Sequence, residues 1–453
     1  MPMSKPRWMM PVLIRALLTG EWWHSGVTYH PLTPRMARNP YPAYAQLRTR
    51  DPVHWSVLAQ SWVFSRYRDI EAILRDHTRF SNEPHHRQPP RPLESTGAYP
   101  RGPSMLFSDP PDHARLRALV QQAFTPRAIE ALAPHIRRIA ADLLDHIADP
   151  TAFDLMAAFA TPLPVLVVAE LLGVPPADQA RLAVWSQQRA RILEPTLTGR
   201  EPQEALQAAH ALDAYFLGLV DQRRVTPEDD LISALVATEA AGDRLTQDEL
   251  LVMLRLLLVA GHETTTNLIG NGLLGLLRHP EQLQLLRDNP SLMQSAVEEL
   301  LRYDAPVQVD SRTALEAMAW DGRQIQPGQG IVLLLGAANH DPEVFDHPEQ
   351  LDITRHKASH LAFGRGIHHC VGAPLARLEV CVALELVLER FAEIRLRVED
   401  PPFKETVVLR GLKVLPVTAQ PARPHLAALP GSKQGKPWRM RRGAPDPEHY
   451  RET

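Results

Sequence analysis

The sequence predicts a mainly α-helical chain with small β-sheets, on three observations. Residues 126–245 carry helical periodicity almost throughout, punctuated only at Asp149-Pro150, at Gly173 to Pro176 and at Gly199 to Pro202. The capping-box sequence Thr246-Gln-Asp-Glu249 opens the longest apolar stretch, which runs to His279-Pro280, where proline excludes further helix. Alternation suited to strands is confined to short pieces: residues 53–56, residues 61–65, and a glycine-punctuated zone that begins at Asp310.

Composition bounds the rest. The 453 residues are 44% hydrophobic, enough for a sizeable core, and the length alone allows one large domain or two to three ordinary ones. A net charge of −3 gives no reason to invoke nucleic acid. The only cysteines, Cys370 and Cys381, form neither a disulfide framework nor a ligand set for zinc or an iron–sulfur cluster. They fit a reducing compartment, and a cytoplasmic location is expected.

Taken in order, residues 1–28 hold an apolar stretch interrupted by Pro11 and Arg15. A membrane span needs about 20 apolar residues, so no transmembrane helix is expected. The segment reads as an amphipathic helix that packs on the body or touches a membrane surface. Prolines 40 and 42 mark a helix start, residues 53–56 and 61–65 read as two paired strands, and Asp69 begins another helix. Residues 82–103 are rich in Pro, His, Arg and Ser without periodicity, and a stretch that long is either functional or disordered. In Asp109-Pro-Pro-Asp-His113-Ala-Arg-Leu-Arg117 the prolines set a helix start and place His113 and Arg117 on one face. That pair reads as a grip for an anionic group or as a solvated basic face. Beyond residue 419 the chain is rich in Pro, Gly and charge, a composition that forms no core, and residues 419–453 read as a flexible tail.

The helix that begins at Thr246 covers about 33 residues at about 1.5 Å each, a rod of about 50 Å. It is apolar on nearly all sides and therefore buried in protein; Arg255, His262, Glu263 and its threonines argue against a bilayer. In its middle lies Ala260-Gly261-His262-Glu263-Thr264-Thr265. A mid-helix glycine costs about 1 kcal/mol against alanine, a buried carboxylate costs more unless paired, and threonine can bend the helix by bonding one turn back. Such a notch is either a functional site or a satisfied polar cluster that specifies packing.

The most informative stretch is Phe363-Gly364-Arg365-Gly366-Ile367-His368-His369-Cys370-Val371-Gly372, with a helical pattern starting at Ala373. Glycines permit turns and close approach to a bulky ligand, and a thiolate at a helix start is favoured by free N–H groups and the helix dipole. A soft thiolate in a glycine-rich loop suits a transition metal. With no cysteine cluster and no C-x-x-C-H in the chain, haem iron with one axial thiolate remains, the ligand that favours O–O cleavage.

The stretch Phe363-Gly-x-Gly-x-His368-x-Cys370-x-Gly372 resembles the haem-binding signature of the cytochromes P450, of the soluble bacterial type. The resemblance covers about residues 30 to 418 and implies a single large domain over residues 29–418 holding haem b (iron protoporphyrin IX). It implies that Cys370 is the proximal ligand, and that His113, Arg117, Arg312 and His368 neutralise the propionates. Phe363, Gly364 and Gly372 would border the cofactor on the cysteine side, and Ala260 and Gly261 on the other. Glu263 and Thr264 match the acid–alcohol pair that delivers protons to bound oxygen, and Glu299, Arg302 and Arg355 match a structural ion-pair group. Leu256, Val259, Ala260, Val309, Val408 and Leu409 match substrate-lining positions, all apolar, so a lipophilic substrate such as a terpenoid, polyketide or fatty acid is expected. The loop 82–103 would cover that pocket, residues 409–416 would form the last hairpin, and His340 replaces the commoner arginine.

No flavin or iron–sulfur module is legible in the chain, so electrons would come from a ferredoxin and its NAD(P)H-dependent reductase, docking where Arg115 and Arg365 lie. The implied reaction inserts one atom of O2 into the substrate. Two rival readings stand beside it: an H2O2-using peroxygenase of the same fold, and a haem-binding sensor without turnover. Glu263 and Thr264, which serve O2 activation, favour the first reading over both.

Overall fold

The computed structural model describes residues 9–89, 104–121, 124–194, 200–239, 245–355 and 359–422. Most of the expected loop 82–103, the Gly199 turn and the tail from residue 423 onward lie outside these residues.

The chain is mainly helical, and its axis is the helix Gln247–Arg278. The capping box is complete: the Thr246 hydroxyl accepts from the Glu249 N–H at 3.2 Å, and the Glu249 carboxylate accepts from the Thr246 N–H at 2.8 Å. Most of its side chains are buried, and it packs against helices on several sides: Pro162–Leu171, Pro176–Ala190, Met293–Tyr303 and Ala373–Arg390. These helices share one apolar core, in which Leu250, Leu254, Leu258, Ile269 and Leu276 of the long helix are closed off from solvent.

Among the described residues, the strands make three small sheets. The largest orders Val53–Ser56, Ser61–Phe64, Gly330–Leu334, Val309–Ala314 and Phe80–Ser81 side by side. Val53–Ser56 and Ser61–Phe64 pair antiparallel, as the sequence predicts, whereas Ser61–Phe64 runs parallel to Gly330–Leu334. A parallel pair needs a long crossover, and here the crossover contains the whole central helical region.

Three details differ from the expectation. The helical run 126–245 is interrupted by the strand Phe153–Asp154 and a π-helical turn at Met156–Ala160; a two-residue strand carries no readable period. Residues 409–416 are only one arm of the expected hairpin: the chain folds back on 402–404, where Phe403 bridges Leu412, the Lys404 N–H donates to the Gly411 carbonyl and the Lys413 N–H to the Pro402 carbonyl, both at 2.8 Å, while Leu409 bridges Val307. Lastly, Pro416–Pro421 pairs with both Phe391–Leu396 and Phe153–Asp154, so this strand runs past the expected boundary at 418.

Arg302 and Glu299 hold the molecule behind the sheet. Both are fully buried; Arg302 donates to both Glu299 oxygens at 2.8 Å and to the carbonyls of Asn339, Pro348 and Gln350 at 2.8–3.0 Å. Arg355 joins the same carboxylate at 3.1 Å. An ion pair this deep is tolerable only when its remaining donors are satisfied, and those of Arg302 are.

Candidate active site

The cysteine loop is shaped by its glycines. Gly364 and Gly366 take positive φ of 69° and 70°, and a Cβ on Gly366 would stand 2.2 Å from the Leu74 carbonyl oxygen, so no side chain fits there. The Cys370 N–H donates to the Phe363 carbonyl at 2.9 Å, and Gly372 caps the helix Ala373–Arg390. Arg377 of that helix lies over the Phe363 ring at 4.6 Å and grips Glu298, tying the loop to the helix Met293–Tyr303. Cys370 is exposed although the loop lies among packed helices, so open space lies beside the residue while protein crowds its thiol. Burial pushes its thiol up. The N–H groups of Gly372 and Ala373 and the charges of Arg117 and Arg377 pull the other way without reversing the shift. The helix start alone therefore does not make the thiolate; a bound cation would complete the stabilisation.

Three of the expected propionate-binding residues converge with His113. His113 and Arg117 lie on the helix Asp112–Gln121, His368 on the cysteine loop and Arg312 on the strand Val309–Ala314. The His113 and His368 rings stand 4.2 Å apart, and the Nε2 atom of each is buried with no hydrogen-bond partner. Burial, then the charges of Arg312, His113 and Arg117, bring His368 down to about 3. Burial and Arg117 also lower His113. Arg117 donates to the His369 carbonyl at 2.6 Å, and Arg312 meets Asp310 at 2.9 Å. Cations and imidazoles crowded together with two orphaned ring nitrogens make a site that lacks an anion, and the carboxylates of a haem fit it.

The long helix opens on one face only. Ala260 is exposed, and Leu256, Val259 and Thr264 are half-buried, while the turns beyond them are closed. Open space at Ala260 and at Cys370 is what a flat cofactor held between these two elements requires. Thr264 Oγ1 donates to the Ala260 carbonyl at 2.8 Å, and Thr265 Oγ1 to that of Gly261 at 3.1 Å, the back-bonding that loosens a helix at this point. Gly261, expected to border the cofactor, has a different reason to be glycine: a Cβ there would come 2.9 Å from Val168 Cγ2 on the helix Pro162–Leu171.

Glu263 is buried and paired. Lys404 Nζ donates to its Oε1 at 2.6 Å and to Asn267 Oδ1 at 3.0 Å. His262 turns to another face, against Ser186 at 3.2 Å and the Leu258 carbonyl at 3.0 Å. Glu263 and Lys404 border a cavity of about 370 Å³ with Ala190, Glu194, Glu405 and Leu409, a space that polar and apolar groups line together beside the expected acid. Sequence reasoning missed Lys404. A buried carboxylate signals that a partner exists, but nothing in the aperiodic segment around Lys404 identifies it.

Of the expected substrate-lining residues, Val309 and Val408 belong to one apolar cluster, Leu409 reaches the same cavity, and Leu256 and Val259 lie beside Ala260. The two expected docking arginines are engaged: Arg115 with Glu249 and Asp112, and Arg365 near Glu71 at 3.8 Å.

The cytochrome P450 family model matches residues 188–417. Cytochrome P450 CYP107DY1 of Priestia megaterium is 43% identical over 80% of this chain and 90% of its own length. The chain belongs to the cytochrome P450 family. Vitamin D(3) 25-hydroxylase of Pseudonocardia autotrophica is 42% identical over 85% of this chain and 94% of its own. The solved structure of the bacillaene polyketide synthase cytochrome P450 PksS of Bacillus subtilis overlays 86% of this chain and 99% of its own with a TM-score of 0.80, at 39% identity. This cytochrome P450 is a haem-thiolate monooxygenase, an oxidoreductase that inserts one atom of O2 into its substrate. No single helix among the described residues is long and apolar enough to cross a membrane.

Proposed function

We propose that Cys370 ligates the haem iron, that His113, Arg117, Arg312 and His368 hold its propionates, and that Glu263 and Thr264 manage protons on the oxygen side. When bound, the haem supplies the iron centre that activates O2. The observation that carries the proton assignment is the placement of Glu263 on a cavity, one residue from Thr264 on the helix face that opens at Ala260. Water in the cavity can reach the carboxylate, Lys404 holds that carboxylate against the helix, and the Thr264 hydroxyl gives a proton or orients a water from the open face. Glu299, Arg302 and Arg355 act on the fold and not on substrate.

For the substrate, we propose a bulky lipophilic small molecule in contact with Leu256, Val259, Ala260, Val309, Val408 and Leu409. The names of the relatives, a vitamin D(3) hydroxylase and a polyketide-biosynthesis P450, point to the same class. Electrons come from a separate ferredoxin and NAD(P)H-dependent reductase in the cytoplasm, with Arg365 as the freer of the two cysteine-side arginines.

The test is product formed per NADPH consumed, with redox partners supplied and a substrate chosen by its shift of the haem Soret band. Thr264→Ala should bind haem and substrate and still consume NADPH, with H2O2 released and coupling down severalfold. Coupling equal to the parent would overturn the proton role. Turnover with H2O2 alone, at a rate that redox partners do not raise, would instead support the peroxygenase.

A further inference from the structure

A buried carboxylate fixes which face of the N-terminal helix Met9–Ser25 looks outward. Glu21 is 5% exposed and binds the body through three contacts. Its Oε1 accepts from the Tyr29 N–H at 2.7 Å and meets His54 Nε2 at 2.8 Å; its Oε2 accepts from the Val57 N–H at 3.0 Å. Ile14, Leu18 and Ser25 lie on the same face as Glu21 and are half-buried. Arg15, Thr19 and Trp22 run along the flank of that face and Trp23 lies opposite it, all four exposed. Trp22 is 53% and Trp23 76% exposed, and the two rings meet edge to face at 5.7 Å.

This clustering is local. Of the large apolar side chains exposed among the described residues, Leu17, Trp22, Trp23 and Leu32 fall within one short stretch, whereas Val184, Val225, Val344 and Val398 are scattered singly. The charge is one-sided as well. Lys5, Arg7 and Arg15 precede Glu21 with no acidic residue among them, in a chain of net charge −3.

We propose that this face docks the protein on an anionic lipid surface, the two tryptophans at headgroup depth and Arg15 on the phosphates. Tryptophan suits that boundary because its ring is apolar and its N–H is polar. Basic residues add attraction that salt screens. A second copy of the chain is a poorer occupant: a two-fold contact would set the exposed Arg15 against its own duplicate. The helix lies on the surface and does not cross it, since Pro11 and Arg15 interrupt its apolar run and Glu21 pins it to the body. Docking does not depend on the assigned substrate, although a lipophilic one would be drawn from the same bilayer.

The test is co-sedimentation of the full haem-loaded chain with phosphatidylcholine vesicles, with and without phosphatidylglycerol. Binding should require phosphatidylglycerol and weaken in high salt. Trp22→Ser with Trp23→Ser should weaken it tenfold or more, and Arg15→Glu about fivefold or more. The CO-difference spectrum and melting temperature of each variant should match the parent. Absence of binding to anionic vesicles, or unchanged binding of the tryptophan variant, would overturn the proposal. So would binding that is lost on truncation after Ala422 but kept in the tryptophan variant, since the basic tail would then be the anchor. Self-association that the tryptophan substitutions abolish, without vesicle binding, would assign the face to a second copy instead.

Discussion

At Glu263, one side chain carries a structural burden and, in the proposed mechanism, a chemical one. Its carboxylate is buried and depends on Lys404, so removing either partner alone strands a charge. Lys404→Met should lower stability by about 2–3 kcal/mol in urea unfolding. Adding Glu263→Gln should recover most of that loss while coupling stays low, which separates the structural burden from proton delivery. Glu298 shows how a carboxyl behaves with two donors at hand. Burial would raise it, but hydrogen bonds from His360 and Arg377, with their charges, bring it down to about 2. A depressed carboxyl stabilises the fold above its unfolded value near 4.5 and loses that contribution as pH falls from there to about 2. Glu298→Gln should therefore lower the melting temperature at pH 7 and flatten its fall across that acid window. A parallel fall in both proteins would mean that Glu298 contributes nothing there. The sequence made the need for partners readable at Glu263 and left their identity hidden, because Lys404 is brought in by folding and not by spacing.

Among the elements, the long helix was the most legible, since its capping box, its period and its closing proline agree on one answer. The segment 403–415 was the least legible, because its own backbone pairing is short and side chains hold much of the rest. Glu194 accepts from the N–H groups of Val407, Val408 and Leu409 at 2.6–3.2 Å, and Arg410 pairs with Asp304 at 2.6 Å. Such contacts leave no period to read. Glu194→Ala would release Val408 and Leu409 together, so substrate affinity read from the Soret shift should weaken several-fold while haem content holds. Gly261 gives a second test at this scale. Alanine normally strengthens a helix interior by about 1 kcal/mol over glycine, yet here its Cβ would press on Val168. Gly261→Ala should be destabilising in the parent and stabilising when combined with Val168→Ala. The same sign in both backgrounds would show that the two helices part easily.

For the whole molecule, the class of fold was readable because helices dominate it and the cysteine signature is long. The sheet order was not. The parallel pairing of Ser61–Phe64 with Gly330–Leu334 joins segments separated by most of the helical region, and no local signal reports a contact of that kind. The expected end of the domain was missed for a related reason: Pro416–Pro421 continues as a strand only because Phe391–Leu396 lies beside it. The central claim, the proposal that Cys370 holds the haem iron as a thiolate, rests on the cysteine signature and on the meeting of its loop with the His113 helix. The reduced, CO-bound spectrum tests it most directly. The parent and Cys381→Ala should both absorb at the long-wavelength Soret position characteristic of thiolate ligation, and Cys370→His should move to the shorter wavelength of a histidine-ligated haem. A long-wavelength band that survives in Cys370→His, or that vanishes in Cys381→Ala, would contradict the account.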